Sequence, residues 1–223
     1  MTARRLVIFD VDGTLVDSQA HILGAMARAF TTLGLAPPDR SRTLGIVGLS
    51  LPIAIARLAP EASAATVEAL VAAYKGSFSA MRSEGLSPLY PGAREALATL
   101  RDTPDIVLGI ATGKSRRGLD HVLEGHGIAG WFDTVQVADD HPSKPHPAMI
   151  AAALAETGTR PERAVMVGDT SYDMEMARAA GVGALGVTWG YHPPAALSDA
   201  GAARLIDGFG ALVPELRAIW RET

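Results

Sequence analysis

Two aspartates stand two residues apart at the end of an apolar run near the start of the chain. The run covers residues 6–9 and is followed by Asp10, Val11, Asp12 and Gly13. An ionised carboxylate beside a divalent cation stays deprotonated and can attack phosphorus, while a second carboxyl group can protonate the departing alkoxide. Asp10 is therefore predicted to be a nucleophile and Asp12 an acid/base, brought to one site where the chain curls at Gly13.

Two further carboxylates, Asp169 and Asp173, follow another apolar run at residues 164–167. Acidic groups gathered at one place repel each other unless a cation lies between them. A cluster that offers only oxygen ligands suits Mg²⁺, which is the predicted cofactor. The predicted metal ligands are Asp10, Asp12, Asp169 and Asp173.

Other residues of the sequence could hold a phosphate. Thr112 and Gly113 follow the apolar run 106–111 and precede a helical pattern, where a hydroxyl group and backbone N–H groups favour an anion. Lys144 stands in a loop between Pro142 and Pro145, and a dianionic substrate beside four aspartates needs a fixed cation. Thr112, Gly113 and Lys144 are predicted to bind the phosphoryl group, and Thr112 and Lys144 are also counted as catalytic.

Taken singly, each of these signals is more often a turn or a helix cap. Together they follow three separate apolar runs, and open α/β sheets bind their ligands at the carboxyl ends of the strands. We therefore interpret them as one site.

The elements that must position these residues alternate along the chain. Apolar runs typical of strands buried on both faces occupy residues 6–9, 106–111, 164–167 and 184–187, with a weaker candidate at 134–137. Helical spacing occupies residues 92–100, 115–124, 147–157 and 171–180. This alternation predicts an α/β fold with a doubly wound parallel sheet.

Three residues are predicted to mark the ends of these helices. Pro147 suits the first helical position, Ser171 can accept from the backbone of the first turn, and Gly181 is typical of the residue after a helix.

The stretch from Ser18 to Gly85 breaks the alternation, because it has helical patterns at residues 21–33, 52–58 and 64–81 and no strand candidate. We interpret it as an inserted all-helical cap domain at residues 17–86, with a core domain at 1–16 and 87–223. The returning segment 87–92 is expected to form a second hinge strand. The loop 45–50, with Gly48, is predicted to contact the substrate, whereas Arg57 is expected on a solvated helix face.

Composition and charge exclude several kinds of protein. A formal net charge of −4 repels nucleic acid and anionic membranes, and the absence of cysteine excludes disulfides, thiol catalysis and cysteine-bound zinc. The first apolar run is too short to be a signal-peptide core or a membrane span. We expect a cytoplasmic monomer or homodimer whose partner is a small phosphorylated metabolite.

Together these motifs resemble the haloacid dehalogenase superfamily, and within it the phosphoglycolate phosphatase-like branch. The matching motifs are, in order, residues 10–14, Thr112, Lys144 and residues 168–173, and the helical insertion matches that branch's small cap domain. The resemblance covers essentially the whole chain. It implies a sheet with the Asp10 strand in the middle, between the strands that precede Thr112 and Asp169.

The same resemblance implies a role for each residue in hydrolysis of a small phosphomonoester. Asp10 would attack phosphorus, and Asp12 would protonate the departing oxygen and later take a proton from the hydrolytic water. Thr112 and Lys144 would hold the phosphoryl oxygens. Asp10, the backbone carbonyl of Asp12 and Asp169 would bind Mg²⁺, and Asp173 would support it directly or through water.

Two other functions remain open at this point. A phosphosugar mutase of the same superfamily would return the phosphate to its substrate, and a signalling receiver would hold it as a signal. The helical insertion and Asp12 argue against the receiver, because Asp12 has a chemical task only if turnover occurs.

Overall fold

Among residues 4–82 and 85–222, which the computed structural model describes, six parallel strands form one sheet. Their order across the sheet is β3-β2-β1-β4-β5-β6. The strands are β1 (Arg5–Phe9), β2 (Ile106–Thr112), β3 (Thr134–Val137), β4 (Ala164–Gly168), β5 (Gly183–Val187) and β6 (Arg204–Ile206). The predicted centre of the sheet is confirmed, because β1 pairs with β2 on one side and β4 on the other.

The predicted strands are confirmed to within one residue at each end, including the weaker candidate β3. The edge strand β6 was not predicted. It has only three residues and begins with Arg204, so it lacks the apolar run that marks the inner strands.

Helices cover both faces of the sheet, which confirms the doubly wound α/β fold. Leu6 and Ile8 of β1 pack into one buried cluster, and Val7 and Phe9 pack into another on the opposite face. Burying each such side chain contributes about 1.5–3 kcal/mol. The flanking helices are α5 (Ala93–Arg101), α6 (Arg116–Gly125), α7 (Ala148–Thr157), α8 (Ser171–Ala180), α9 (Pro194–Ala200) and α10 (Leu212–Glu222).

The helix ends agree with the sequence at one of three predicted positions. Gly181 ends α8 in the left-handed conformation, as predicted. The N-cap of α8 is Thr170 and not Ser171, because the Thr170 hydroxyl accepts from the Asp173 N–H while the Asp173 carboxylate accepts from the Thr170 N–H. Pro147 stands at the N-cap of α7, one residue before the predicted position.

Four helices between β1 and α5 form a unit that we call the helical insertion. They are α1 (Gln19–Thr32), α2 (Arg40–Leu44), α3 (Leu51–Leu58) and α4 (Ala64–Arg82). Met26, Phe30, Ile55 and Leu70 form a buried cluster of their own, separate from the two clusters on the sheet. The short helix α2 was not predicted.

The domain boundaries at 16/17 and 86/87 stay a prediction, and residues 1–3, 83, 84 and 223 of the two predicted domains lie outside the described part. The second hinge strand is shorter than predicted. Only Leu89 forms a bridge, to Val16, and the Pro88 carbonyl accepts from the Asp17 N–H at 2.9 Å. A proline has no N–H to donate, so Pro88 and Pro91 prevent a longer ladder.

Within the described part of the chain, no helix combines the length and the apolar character needed to cross a lipid bilayer.

Candidate active site

The loop after β1 places Asp10 and Asp12 at the same pocket. Asp10 continues the sheet by donating its N–H to the Val167 carbonyl at 3.0 Å, and the chain then turns sharply. Gly13 has a φ of +86°, and a Cβ there would lie 2.2 Å from Asp169 Oδ2. Only glycine fits this turn, so the predicted curl is present and Asp10 and Asp12 both line the cavity above the strand ends.

Three of the four predicted metal ligands lie together. Asp10, Asp169 and Asp173 are buried, and each offers a carboxylate oxygen within 4.8 Å of the others. The Asp12 carboxylate is outside this cluster. This arrangement leaves only the backbone carbonyl of Asp12 as its expected contribution to a metal.

Lys144 lies between two of these acids and is almost completely buried. Its Nζ atom is 3.0 Å from Asp10 Oδ1 and 2.6 Å from Asp173 Oδ1. Burial alone would lower the pKa of Lys144, but the two carboxylates raise it above its ordinary value. The ammonium group is therefore a fixed charge beside Asp10, and it does not line the cavity itself.

The carboxylate of Asp10 is otherwise unsatisfied. Within the described residues, neither of its oxygens accepts a hydrogen bond of good geometry. Burial raises the pKa of Asp10 to about 7 despite the opposing charge of Lys144. Unpaired buried acceptors are costly, and in native proteins they indicate a missing partner.

The donor set fits a divalent cation. One lysine cannot neutralise three buried carboxylates, and a cation among their oxygens would supply both the missing charge and the missing partner of Asp10. The ligands are all oxygen, as Mg²⁺ prefers. Burial and the charges of Asp10 and Asp173 also raise the pKa of Asp169 well above its ordinary value, so the cluster is electrostatically strained without such an ion.

Asp169 and Asp173 are held rigidly. Thr14 Oγ1 donates to Asp169 Oδ1 at 2.8 Å, and the backbone N–H of Tyr191 donates to Asp169 Oδ2 at 2.9 Å. Thr170 Oγ1 donates to Asp173 Oδ2 at 2.7 Å. Sequence reasoning missed the Tyr191 donor, and the only available signal was its position just after β5, the neighbour of β4.

Asp12 is held by a different pair of residues. Ser18 Oγ donates to Asp12 Oδ1 at 2.5 Å, and Lys114 Nζ lies 2.8 Å from Asp12 Oδ2. Ser18 was not predicted, since a serine that begins a helix is usually a cap.

Thr112 and Gly113 line the same cavity, next to Asp10 and Asp12. The loop of the helical insertion lies directly on Gly113, because a Cβ at that position would be 2.5 Å from the Gly48 carbonyl oxygen. The predicted contact loop therefore faces the site. The residues at the strand ends, together with the buried charged residues behind them, form a group that we call the acidic floor. Its members are Asp10, Asp12, Thr112, Gly113, Lys114, Lys144, Asp169 and Asp173.

The cavity above the acidic floor has a volume of about 560 Å³, and the helical insertion forms its other side. We call the insertion residues that line it the apolar wall: Ile22, Met26, Ile46, Val47, Gly48, Leu49, Ser50, Leu51, Pro52, Ala54, Tyr74, Lys75, Phe78 and Ser79.

Other contacts join the helical insertion to the core. The Ser50 N–H donates to Ser143 Oγ at 2.8 Å. The Tyr172 hydroxyl donates to the Gly45 carbonyl at 2.9 Å and accepts from Arg57 Nη1 at 3.0 Å. Arg57 therefore contacts Tyr172 and does not reach the cavity.

Comparison with known proteins agrees with this geometry. A family model described as haloacid dehalogenase-like hydrolase matches residues 7–187. The relative named "Probable phosphatase IndB" from Dickeya dadantii is 36% identical over 220 residues, which cover 96% of this chain and 94% of that protein. A phosphoglycolate phosphatase from Pseudomonas putida is 29% identical over 96% of this chain and 80% of its own length.

A solved structure shares the whole fold. The haloacid dehalogenase-like hydrolase from Streptococcus pneumoniae superimposes with a TM-score of 0.82 at 27% identity, covering 96% of this chain and 99% of that one.

Proposed function

The chain belongs to the haloacid dehalogenase-like hydrolase family and is a phosphatase, and we propose that it hydrolyses a small phosphomonoester with Mg²⁺ through an aspartyl-phosphate on Asp10. The observation that carries the proposal is the Asp10 carboxylate. It is buried at the bottom of the cavity, unpaired except for its ion pair with Lys144, and surrounded by acidic groups that need a cation.

In the first step, an Asp10 oxygen forms a bond to phosphorus while the bond between phosphorus and the ester oxygen breaks. The departing alkoxide takes a proton from Asp12, which lies at the same cavity. Ser18 and Lys114 hold the Asp12 side chain in place for this transfer. Positioning and charge neutralisation of this kind dominate phosphoryl transfer.

In the second step, a water molecule attacks phosphorus and gives its proton to Asp12. The bond from phosphorus to Asp10 breaks, which releases inorganic phosphate and restores both carboxyl groups to their starting states. Thr112 and the backbone N–H of Gly113 are proposed to hold the phosphoryl oxygens, and Gly48 to contact the substrate from above. Lys144 is proposed to keep Asp10 ionised and aligned.

Asp10, the Asp12 carbonyl, Asp169 and Asp173 are proposed to hold Mg²⁺. When bound, the ion would neutralise the negative charge shared by the carboxylates and the phosphoryl oxygens. The helical insertion is proposed to act as the cap domain, excluding water from the phosphoryl group.

Phosphoglycolate is the first substrate to assay, because relatives carry that name. A phosphosugar mutase is less well supported. It would have to hold a sugar bearing several hydroxyl groups, and the apolar wall offers few polar side chains for them.

Release of inorganic phosphate, measured with Mg²⁺ and with a chelator, tests the proposal. We expect turnover only with Mg²⁺, and loss of at least about 10³-fold in kcat for Asp10→Asn, as for removal of a covalent nucleophile. Asp120→Asn, on the exposed face of α6, is the matched control and should behave as the wild type. Wild-type turnover by Asp10→Asn would exclude the covalent mechanism.

A further inference from the structure

The apolar wall carries an aromatic pair at its centre. Tyr74 and Phe78 stand four residues apart on α4, so both face the cavity. Their ring centroids are 5.6 Å apart with an interplanar angle of 28°, which is a stacked arrangement. Met26 and Ile22 of α1 line the cavity beside them.

The aromatic pair also reaches the acidic floor. Lys114 Nζ lies 5.2 Å from the centroid of the Phe78 ring while it pairs with Asp12. Burial, and after it the charge of Asp12, raise the pKa of Tyr74 above its ordinary value, so its phenol stays protonated. An alcohol that takes its proton from Asp12 would therefore lie close to the rings of Tyr74 and Phe78.

The apolar wall offers no buried charge to a substrate. Among its residues, all of which are described, there is no arginine and no acidic side chain, and its one lysine, Lys75, is exposed. On the opposite side, Lys114 is already paired with Asp12, and Arg117 lines the cavity but is exposed. A leaving group that carries a carboxylate would lose its water here with no buried cation left unpaired among the described lining residues to replace it, which is unfavourable.

The size of the cavity agrees with its chemistry. A volume of about 560 Å³ lies within the range of roughly 300–1,000 Å³ for pockets that enclose a whole small-molecule ligand. A phosphoryl group with a two-carbon acid would leave much of the apolar wall in contact with water.

We propose that the leaving group of the natural substrate is an alcohol with a compact apolar ring, which packs against Tyr74 and Phe78 while its phosphate lies on the acidic floor. This proposal rests on the proposed phosphatase function and names its substrate class. Offset or edge-on packing of a ring against the aromatic pair adds to the gain from burying its apolar surface. Phosphoglycolate would then be a poor substrate.

Three phosphate esters test this proposal, with Mg²⁺ present: benzyl phosphate, ethyl phosphate and phosphoglycolate. We expect kcat/KM for benzyl phosphate to exceed that for ethyl phosphate by about 10- to 100-fold. This ratio corresponds to the free energy gained by burying one ring. We expect phosphoglycolate to rank with ethyl phosphate or below it. Phosphoglycolate above benzyl phosphate, or equal values for the benzyl and ethyl esters, would overturn the proposal.

Variants locate the preference on the apolar wall. Phe78→Ala should lower the benzyl-to-ethyl ratio by about tenfold, and Phe78→Leu, which keeps apolar volume and so preserves packing, should lower it less. Ile53→Ala is the control, because Ile53 is on α3 but is 45% exposed and does not line the cavity. If the benzyl-to-ethyl ratio of kcat/KM is unchanged in both Phe78 variants, the aromatic pair does not recognise the substrate and the proposal is overturned.

Failure of the proposed function gives a different result. If none of the three esters releases phosphate, the phosphatase mechanism fails, and titration calorimetry of the wild type with each ester then decides the inference. Binding of benzyl phosphate at least tenfold tighter than that of ethyl phosphate supports it, and equal binding overturns it.

Discussion

The acidic floor and the apolar wall face each other across one cavity and are built in opposite ways. In the floor, hydrogen bonds and ion pairs hold the carboxylates, as Thr14 and Tyr191 hold Asp169, and Asp10 alone has only its ion pair with Lys144. The wall is held by packing, with Met26 and Tyr74 belonging to the insertion's own apolar cluster. The charged side chains of the floor cannot move without leaving a buried charge unpaired, whereas the apolar side chains of the wall are held mainly by packing.

This difference suits the two sides of the cavity to two tasks, with the floor carrying out the reaction and the wall selecting the substrate. In the proposed mechanism, the floor contacts only the phosphoryl group and the oxygen atoms around it, which are the same in every phosphomonoester. The wall would contact the rest of the substrate. Changes in the floor should therefore act on kcat and on stability, because its charges are coupled, and changes in the wall should act on the choice of substrate.

The largest effect is expected from removing Lys144, the cation of the acidic floor whose side chain is completely buried. Lys144→Met keeps the length of the side chain but leaves Asp10 and Asp173 without their counter-charge. We expect the free energy of unfolding of the metal-free protein to fall by about 3–5 kcal/mol, as when one partner of a buried ion pair is removed. Urea denaturation measures it.

The control for this variant is Lys75→Met in the apolar wall. Lys75 is exposed, so its loss should change the free energy of unfolding by no more than about 0.5 kcal/mol. Similar losses in both variants would contradict the contrast between floor and wall.

The second prediction concerns pH in the metal-free protein. The folded-state pKa of Asp10 is about 7, raised by burial from 3.8, so between these values the folded protein retains a proton that the unfolded chain has released. Stability must then fall as pH rises through this window. Relative to Asp10→Asn, the wild type should lose on the order of 2–3 kcal/mol of unfolding free energy between pH 5 and pH 8.

Urea denaturation in a chelator, repeated with Mg²⁺, measures this pH dependence. Mg²⁺ should make the difference between wild type and Asp10→Asn smaller, because a cation favours the ionised carboxylate. A wild type that gains stability relative to Asp10→Asn as pH rises would show that Asp10 is already compensated in the metal-free fold.

The third prediction separates kcat from KM within the acidic floor. Ser18→Ala removes the hydroxyl that donates to Asp12 at 2.5 Å. A hydrogen bond to a charged group contributes about 1.5–3 kcal/mol, so kcat should fall by about 10- to 100-fold if Asp12 must be held for proton transfer. KM should change little, because Ser18 does not line the cavity.

Ser18→Thr keeps a hydroxyl and should recover part of the lost kcat, and Ser198→Ala, on the exposed side of α9, should have no effect. A rise in KM at constant kcat would instead make Ser18 part of substrate binding.

The sequence predicted the floor far better than the wall, for a physical reason. Asp10, Asp12, Asp169 and Asp173 each follow an apolar run, and the carboxyl ends of parallel strands must meet at one edge of a sheet. Their position depends only on which runs are strands. Recognition of the family motifs then supplied the individual roles.

What the sequence could not predict depends on packing between elements. Thr170 and Ser171 are both plausible N-caps, and only the turn geometry selects Thr170. The Tyr191 donor acts through its backbone, so its side chain gave no signal. Tyr74 and Phe78 show helical spacing, but the side of α4 that faces the cavity is decided by how α4 packs on α1.

The smallest effect is expected where the helical insertion meets the core outside the cavity. Tyr172→Phe removes a hydroxyl that donates to the Gly45 carbonyl and accepts from Arg57, while the ring keeps its edge-on contact with His192 at 5.2 Å. Each such hydrogen bond contributes about 0.5–1.5 kcal/mol net, so the closed arrangement should be less populated and KM should rise by about 2- to 10-fold.

The kcat value should change less, because no group of the acidic floor is altered. Steady-state kinetics on benzyl phosphate measures both constants. Arg57→Ala keeps the hydrogen bond from Tyr172 to Gly45 but removes both the bond from Arg57 and its guanidinium group, which lies 5.3 Å from the centroid of the Tyr172 ring, so it should also raise KM. A fall in kcat at constant KM would instead show that Tyr172 positions its neighbour Asp173 in the acidic floor. The contrast between the two sides of the cavity would then not hold at this residue.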